Sequence, residues 1–111
     1  MWNTFDQGNS RGQVGSEHGT IIQDEEHTLG ARITLEKDGI TAPFAITCGI
    51  YGWMVHTRFF SGEAEALAQF ESMKAALASV LDVISPPTEV DVSKRTPEIS
   101  TALARFVERY P

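Results

Sequence analysis

His56 and Arg58 stand two residues apart in a chain of 111 residues. On a strand, side chains at i and i+2 share one face. An imidazole and a guanidinium placed this way suit an anion. The guanidinium offers a fork of N–H donors to a carboxylate, and the imidazole trades a proton near neutral pH. Arg32, Thr34 and Glu36 form a second alternating set, expected on a neighbouring strand. His56, Arg58, Arg32 and Glu36 are therefore the candidate ligand-binding residues. In an enzyme, His56 would serve as acid–base and Arg58 as anion clamp. The commoner use of such residues is to line the polar side of a half-solvated sheet, with Arg58 paired to Glu36 across strands.

Other reactive residues are sparser. Asp24-Glu25-Glu26-His27 offers oxygen and imidazole donors. Neighbouring strand residues point to opposite faces, so the run does not converge on one ion. Protection of a sheet edge by charge is its ordinary meaning. Cys48 is the only cysteine and alternates with Phe44, Ile46 and Ile50, which makes it a small core hydrophobe. A single cysteine forms no internal disulfide, so nothing points to an oxidising compartment. His18, His27 and His56 have no i, i+4 partner, and no cysteine pair is present for zinc. Gly8, Gly12, Gly15 and Gly19 neither follow a strand nor open a helix, so they are no dinucleotide fingerprint. No nucleophile elbow or Walker loop occurs. No catalytic residue, metal site or cofactor is expected.

The elements that must position these residues can be read from periodicity. Residues 1–19 are rich in Gly, Asn, Gln and Ser without period, and read as a flexible N-terminal tail; Trp2 and Phe5 are its only docking candidates. Residues 20–111 read as a single α+β domain. Thr20–Glu26 is an acidic edge strand. Ala31, Ile33 and Leu35 alternate with Arg32, Thr34 and Glu36, giving a half-buried strand. Asp38-Gly39 signals a tight type I′ hairpin. Pro43–Ile50 sets Phe44, Ile46, Cys48 and Ile50 against Ala45, Thr47 and Gly49. After a turn at Tyr51-Gly52, Trp53, Val55, Thr57 and Phe59 share one face, with Met54, His56, Arg58 and Phe60 on the other. Trp53, Phe59, Phe70 and Phe44 are expected to meet in the core.

Ser61 is the expected cap of a long amphipathic helix with a stripe at Leu67, Phe70, Leu77, Val80, Leu81 and Ile84, stopped by Pro86-Pro87. Residues 85–95 read as a linker in which Val90 and Val92 can make a short edge strand. Thr96-Pro97-Glu98 opens a short C-terminal helix carrying Ile99, Leu103, Phe106, Val107 and Tyr110 on one face. The fold expected is an antiparallel four-stranded β-meander packed against the long helix. The strand at Phe44–Ile50 is uncharged on both faces, so both are expected to be covered, the second by the final helix or a partner chain.

A net charge of −6 argues against nucleic acid and anionic membrane as partners, with Lys94-Arg95 the only adjacent basic pair. The uncharged run from Ile40 to Val55 is too short for a membrane span and is interrupted by Pro43, Gly49 and Gly52. No basic region followed by an apolar run marks a signal peptide, so cytoplasmic residence is expected. The expected function is that of a small acidic interaction protein, homodimeric, acting as accessory subunit or as inhibitor or immunity-type partner of a more basic protein. The alternative is an anionic-ligand module, or a small enzyme at a dimer interface, built on His56 and Arg58.

Overall fold

Alternating strands and one long apolar stripe give an α+β fold in a computed structural model that describes residues 1–84 and 92–111, with only the backbone of 92–95. Strands β1 (Trp2–Thr4), β2 (Thr20–His27), β3 (Ala31–Lys37), β4 (Phe44–Ile50) and β5 (Met54–Phe60) precede helices α1 (Glu63–Ile84) and α2 (Val92–Arg109). The strands form one antiparallel sheet in sequence order. The expected meander is β2 to β5, and β1 is a fifth strand from the segment expected to be a tail. Trp2 lies opposite His27 and Thr4 opposite Glu25, so the acidic end of β2 lies inside the sheet rather than at its edge.

Both helices lie on one face of the sheet. Ala31, Ile33 and Leu35 of β3 and Ile46, Cys48 and Ile50 of β4 meet Ala66, Phe70, Met73, Leu77, Val80 and Leu81 of α1. The i, i+3, i+4 spacing of these α1 residues makes the stripe. Phe106 of α2 and Tyr110 just after it close the same cluster, with Leu67 and Ile84 packed at its margin. The Gly62 carbonyl accepts the Ala66 N–H, so α1 opens there, one residue beyond the expected Ser61 cap. Helix α2 begins at Val92 and holds Pro97 within it, upstream of the expected Thr96 cap. Pro97 lies beyond the first turn, so it removes the i→i−4 bond that its N–H would otherwise make to the Ser93 carbonyl. Pro86-Pro87 and Val90 lie outside the described residues. Among the described residues no helix is long and apolar enough to cross a membrane.

The second face of the sheet is covered by neither helix. Phe5–Gly8 makes a sharp turn after β1, with Asp6 and Gln7 at φ of 47° and 55°, and Phe5 stacks on the Arg32 guanidinium at 3.6 Å. The chain then runs along the outer side of β2. The Gly12 N–H donates to Ile21 O and the Ile21 N–H to Gln13 O. This strap, residues 9–19, covers the β2–β3 side of the second face; on β4, the strand expected to be covered by α2 or a partner, Thr47 and Gly49 are only partly buried. A tight Asp38-Gly39 hairpin does not form. The β3–β4 loop spans 38–43, closed by the Asp38 N–H donating to Pro43 O at 2.8 Å, and the Ile40 N–H reaches Glu17 O at 3.3 Å. The loop is longer than the dipeptide suggests because it docks the strap.

Candidate functional site

The register separates the four sequence-derived candidates into two pairs on opposite faces. Cys48 lies opposite His56, and Ile46 opposite Arg58, so His56 and Arg58 face the helices. Arg32 and Glu36 face away from them, and β4 intervenes between β3 and β5. Arg58 therefore does not pair with Glu36.

His56 and Arg58 are occupied by the end of the chain. His56 Nε2 contacts the Tyr110 backbone oxygen. Arg58 Nε donates to the Pro111 backbone oxygen at 3.2 Å, and a terminal N–H donates to Gln69 Oε1 at 2.8 Å. The guanidinium also lies 5.0 Å from the Phe60 ring and 5.4 Å from that of Tyr110. The Tyr110 hydroxyl is 2.7 Å from Ser72 Oγ on α1. The pair thus ties the exit of α2 to β5 and α1. Cys48, beside His56, is 1% exposed. Burial pushes its thiol up to about 12, against the opposing influence of Arg58, so it carries no thiolate for catalysis.

Arg32 and Glu36 hold the second face together. Asp24 is fully buried, accepts from Arg32 at 2.9 and 2.6 Å, and accepts from the Thr34 hydroxyl at 3.1 Å. Glu36, 1% exposed, uses Oε1 to accept the Glu17 N–H at 3.0 Å and the Gly19 N–H at 2.9 Å. A Cβ at position 15 would stand 2.4 Å from Glu36 Oε2, so any other residue there would push the Glu36 carboxylate aside. The remaining acids of β2 are engaged too. Glu25 meets Lys74 at 2.9 Å, and Glu26 accepts the Tyr51 hydroxyl at 2.6 Å. Among the described residues no three His, Cys, Asp or Glu side chains gather as metal ligands.

The faces of β5 are the reverse of the expected ones. Trp53 and Phe59 do not join Phe70 in the core; they are 38% and 45% exposed, and Val55 is 80% exposed. The three-residue turn Tyr51–Trp53, with Gly52 at φ 82°, sets this parity. Both faces of β5 carry apolar residues, so the alternation alone does not choose between them.

The result is a groove on the second face that no sequence motif marks. It has a volume of about 680 Å³ and runs between the strap (Val14–Ser16) and the Tyr51–Val55 segment. Thr34, Thr47 and Gly49 form a floor of small residues. Ser16 and Thr47 hydroxyls lie 3.3 Å apart, as do those of Thr47 and Thr57. Arg32 is the one ionisable group in the lining besides Cys48 and Tyr51, and Asp24 already neutralises it. The signal in the sequence was the doubly apolar strand 53–60 next to the small-residue face of β4. Known proteins add nothing to this geometry: no protein-family model, curated protein or solved structure matches the chain.

Proposed function

We propose that the protein is a non-enzymatic interaction module, homodimeric and cytoplasmic, that serves as accessory subunit or as inhibitor or immunity-type partner of another protein. One observation carries this reading. Tyr51, Trp53, Val55 and Val14 are exposed around a groove that is nearly free of charge, and Phe59 is exposed further along β5, in a chain of net charge −6. Exposed aromatic and aliphatic residues gathered on one side of a small protein mark an interaction surface, and aromatic residues are enriched where interfaces carry their energy. Further support comes from the candidate reactive groups: His56 and Arg58 are engaged and Cys48 is buried.

The net charge favours a basic partner through long-range steering. Asp24, Glu25 and Glu26 are poor contact residues for it, because Arg32, Lys74 and Tyr51 already occupy them. The docking side chains are those of the groove rim. The test is recovery of the chain from its own cells, with and without Trp53→Ala and Tyr51→Ala. Loss of a co-purifying polypeptide in these variants, at unchanged thermal stability, supports the reading. Retention in both counts against it.

The groove's size favours a second reading, since 680 Å³ lies within the range of small-molecule pockets. On that reading an apolar ligand with one polar end would sit on the Ser16–Thr47–Thr57 hydroxyls, and not at His56 and Arg58. A thermal-shift hit removed by Thr47→Val, and kept by Arg58→Ala, would favour it.

A further inference from the structure

The two edges of the sheet are built differently. At one edge β1 is three residues long, and the strap runs along the rest of β2. A short or covered strand is the usual means of stopping a sheet from adding another chain. At the other edge β5 has seven residues and none of these guards. It contains no proline, lysine or acid, and its one arginine, Arg58, is drawn to the helix side by Gln69 and the Pro111 carbonyl. Its register against β4 is unbroken from Phe44↔Phe60 to Ile50↔Met54, so no bulge twists it away. Among the described residues, no strand lies beyond it.

We infer that β5 pairs with β5 of a second copy, antiparallel about a two-fold axis at Thr57, to make one continuous sheet across a homodimer. This deepens the interaction reading above, and rests on its homodimer. The sequence of β5 is its own complement in this register. Val55 falls opposite the partner's Phe59, and Phe59 opposite the partner's Val55. These are the exposed apolar side chains of the strand, and aromatic with β-branched is a favourable cross-strand pair. Thr57 meets its own copy, and the hydroxyl row Ser16–Thr47–Thr57 then continues through the axis. On the helix side His56 comes opposite the partner's Arg58, each held by oxygens at the end of its own chain.

Charge also selects a second copy over a basic protein at this edge. The acidic run of β2 is at the far side of the sheet, and β5 has no acid to attract a cationic strand. Two such chains repel overall, but charges more than about 8 Å apart are largely screened at physiological salt. The groove remains open on each copy beside the axis, available to the partner of the interaction reading.

The experiment is native mass spectrometry and light scattering on the wild type, Val55→Lys and Thr57→Cys. Val55 is exposed, so its replacement leaves the fold intact, which circular dichroism verifies. The expected result is a two-chain wild type and a weakening of self-association by about ten-fold or more in Val55→Lys, since a lysine on an edge opposes strand addition. Thr57→Cys is expected to oxidise to a covalent dimer, while Leu29→Cys, more exposed than Thr57 but in the β2–β3 turn away from β5, does not. A two-chain wild type that Val55→Lys leaves unchanged overturns the assignment to β5. A one-chain wild type that carries another polypeptide overturns the self-pairing and the homodimer but spares the binding of another protein; a one-chain wild type carrying nothing overturns both.

Discussion

Asp24 and Arg32 form an unequal pair, and the inequality gives a prediction that can be worked through. Asp24 is fully buried, while the Arg32 side chain is 36% exposed. Replacing Arg32 by Met removes both of its hydrogen bonds and leaves a buried carboxylate with only the Thr34 hydroxyl. Breaking a buried pair in this way costs about 3–5 kcal/mol, mostly from the stranded charge. The stacking of Arg32 on Phe5 is lost as well, worth roughly 0.5–1 kcal/mol at a partly exposed site.

Asp24→Asn has a smaller effect. The amide oxygen still accepts a neutral hydrogen bond, about half as strong as the charged one, and Arg32 turns its charge to water. A cost of about 1–2 kcal/mol follows. Expressed as melting temperature at about 4 °C per kcal/mol, Arg32→Met should lose roughly 12–20 °C and Asp24→Asn roughly 4–8 °C. The double variant should lose less than the sum, since the stranded charge is gone. Urea and thermal unfolding, followed by far-ultraviolet circular dichroism, measure all three. Equal costs, or a larger cost for Asp24→Asn, would refute the assignment of Asp24 as the buried partner that needs its cation.

Phe70 is completely buried at the centre of the α1 stripe, so Phe70→Ala should lose about 3–5 kcal/mol; unchanged urea unfolding would contradict that packing. Cys48 should resist thiol reagents at pH 8 in the folded protein and react at once in urea, because burial holds its thiol near 12; fast labelling of the native chain would count against this. His27 has its pKa lowered below the ordinary 6.5 by burial first and then by the Met1 amino group, with Asp82 opposing. Between the folded value and 6.5 the unfolded chain binds more protons, so His27's contribution to stability is present above pH 6.5 and is lost as the pH falls through that window. His27→Gln should flatten the slope there, and an identical slope in the variant would exclude His27 as its source.

What was legible in the sequence was local. The alternation of Ala31–Glu36 and the stripe from Leu67 to Ile84 each specify one element, and both elements are present, though Leu67 and Ile84 sit at the margin of the core while Ala66 and Met73 lie within it. The strap was not legible, because its order comes from distant groups: Phe5 on Arg32, and the Glu17 and Gly19 amides on Glu36. A glycine-rich composition signals disorder when read alone, but Gly15 and Gly19 are what permit the close approach to Glu36 and Lys37. The parity of β5 was ambiguous for a different reason. Met54 and Phe60 on one face match Val55 and Phe59 on the other in apolar character, and only the turn decides which is buried. That His56 and Arg58 share one strand face was legible from their i, i+2 spacing. Their partners are backbone oxygens of Tyr110 and Pro111, some fifty residues away, which no local pattern reveals.

The central claim is that this chain works by binding other chains through β5 and the groove beside it. Native mass spectrometry of the protein released gently from its own cells tests that most directly. The account predicts at least two copies of the 12.2 kDa chain, alone or with a further polypeptide that Trp53→Ala releases. A single chain at micromolar concentration, bearing no polypeptide and holding a small molecule instead, would contradict it.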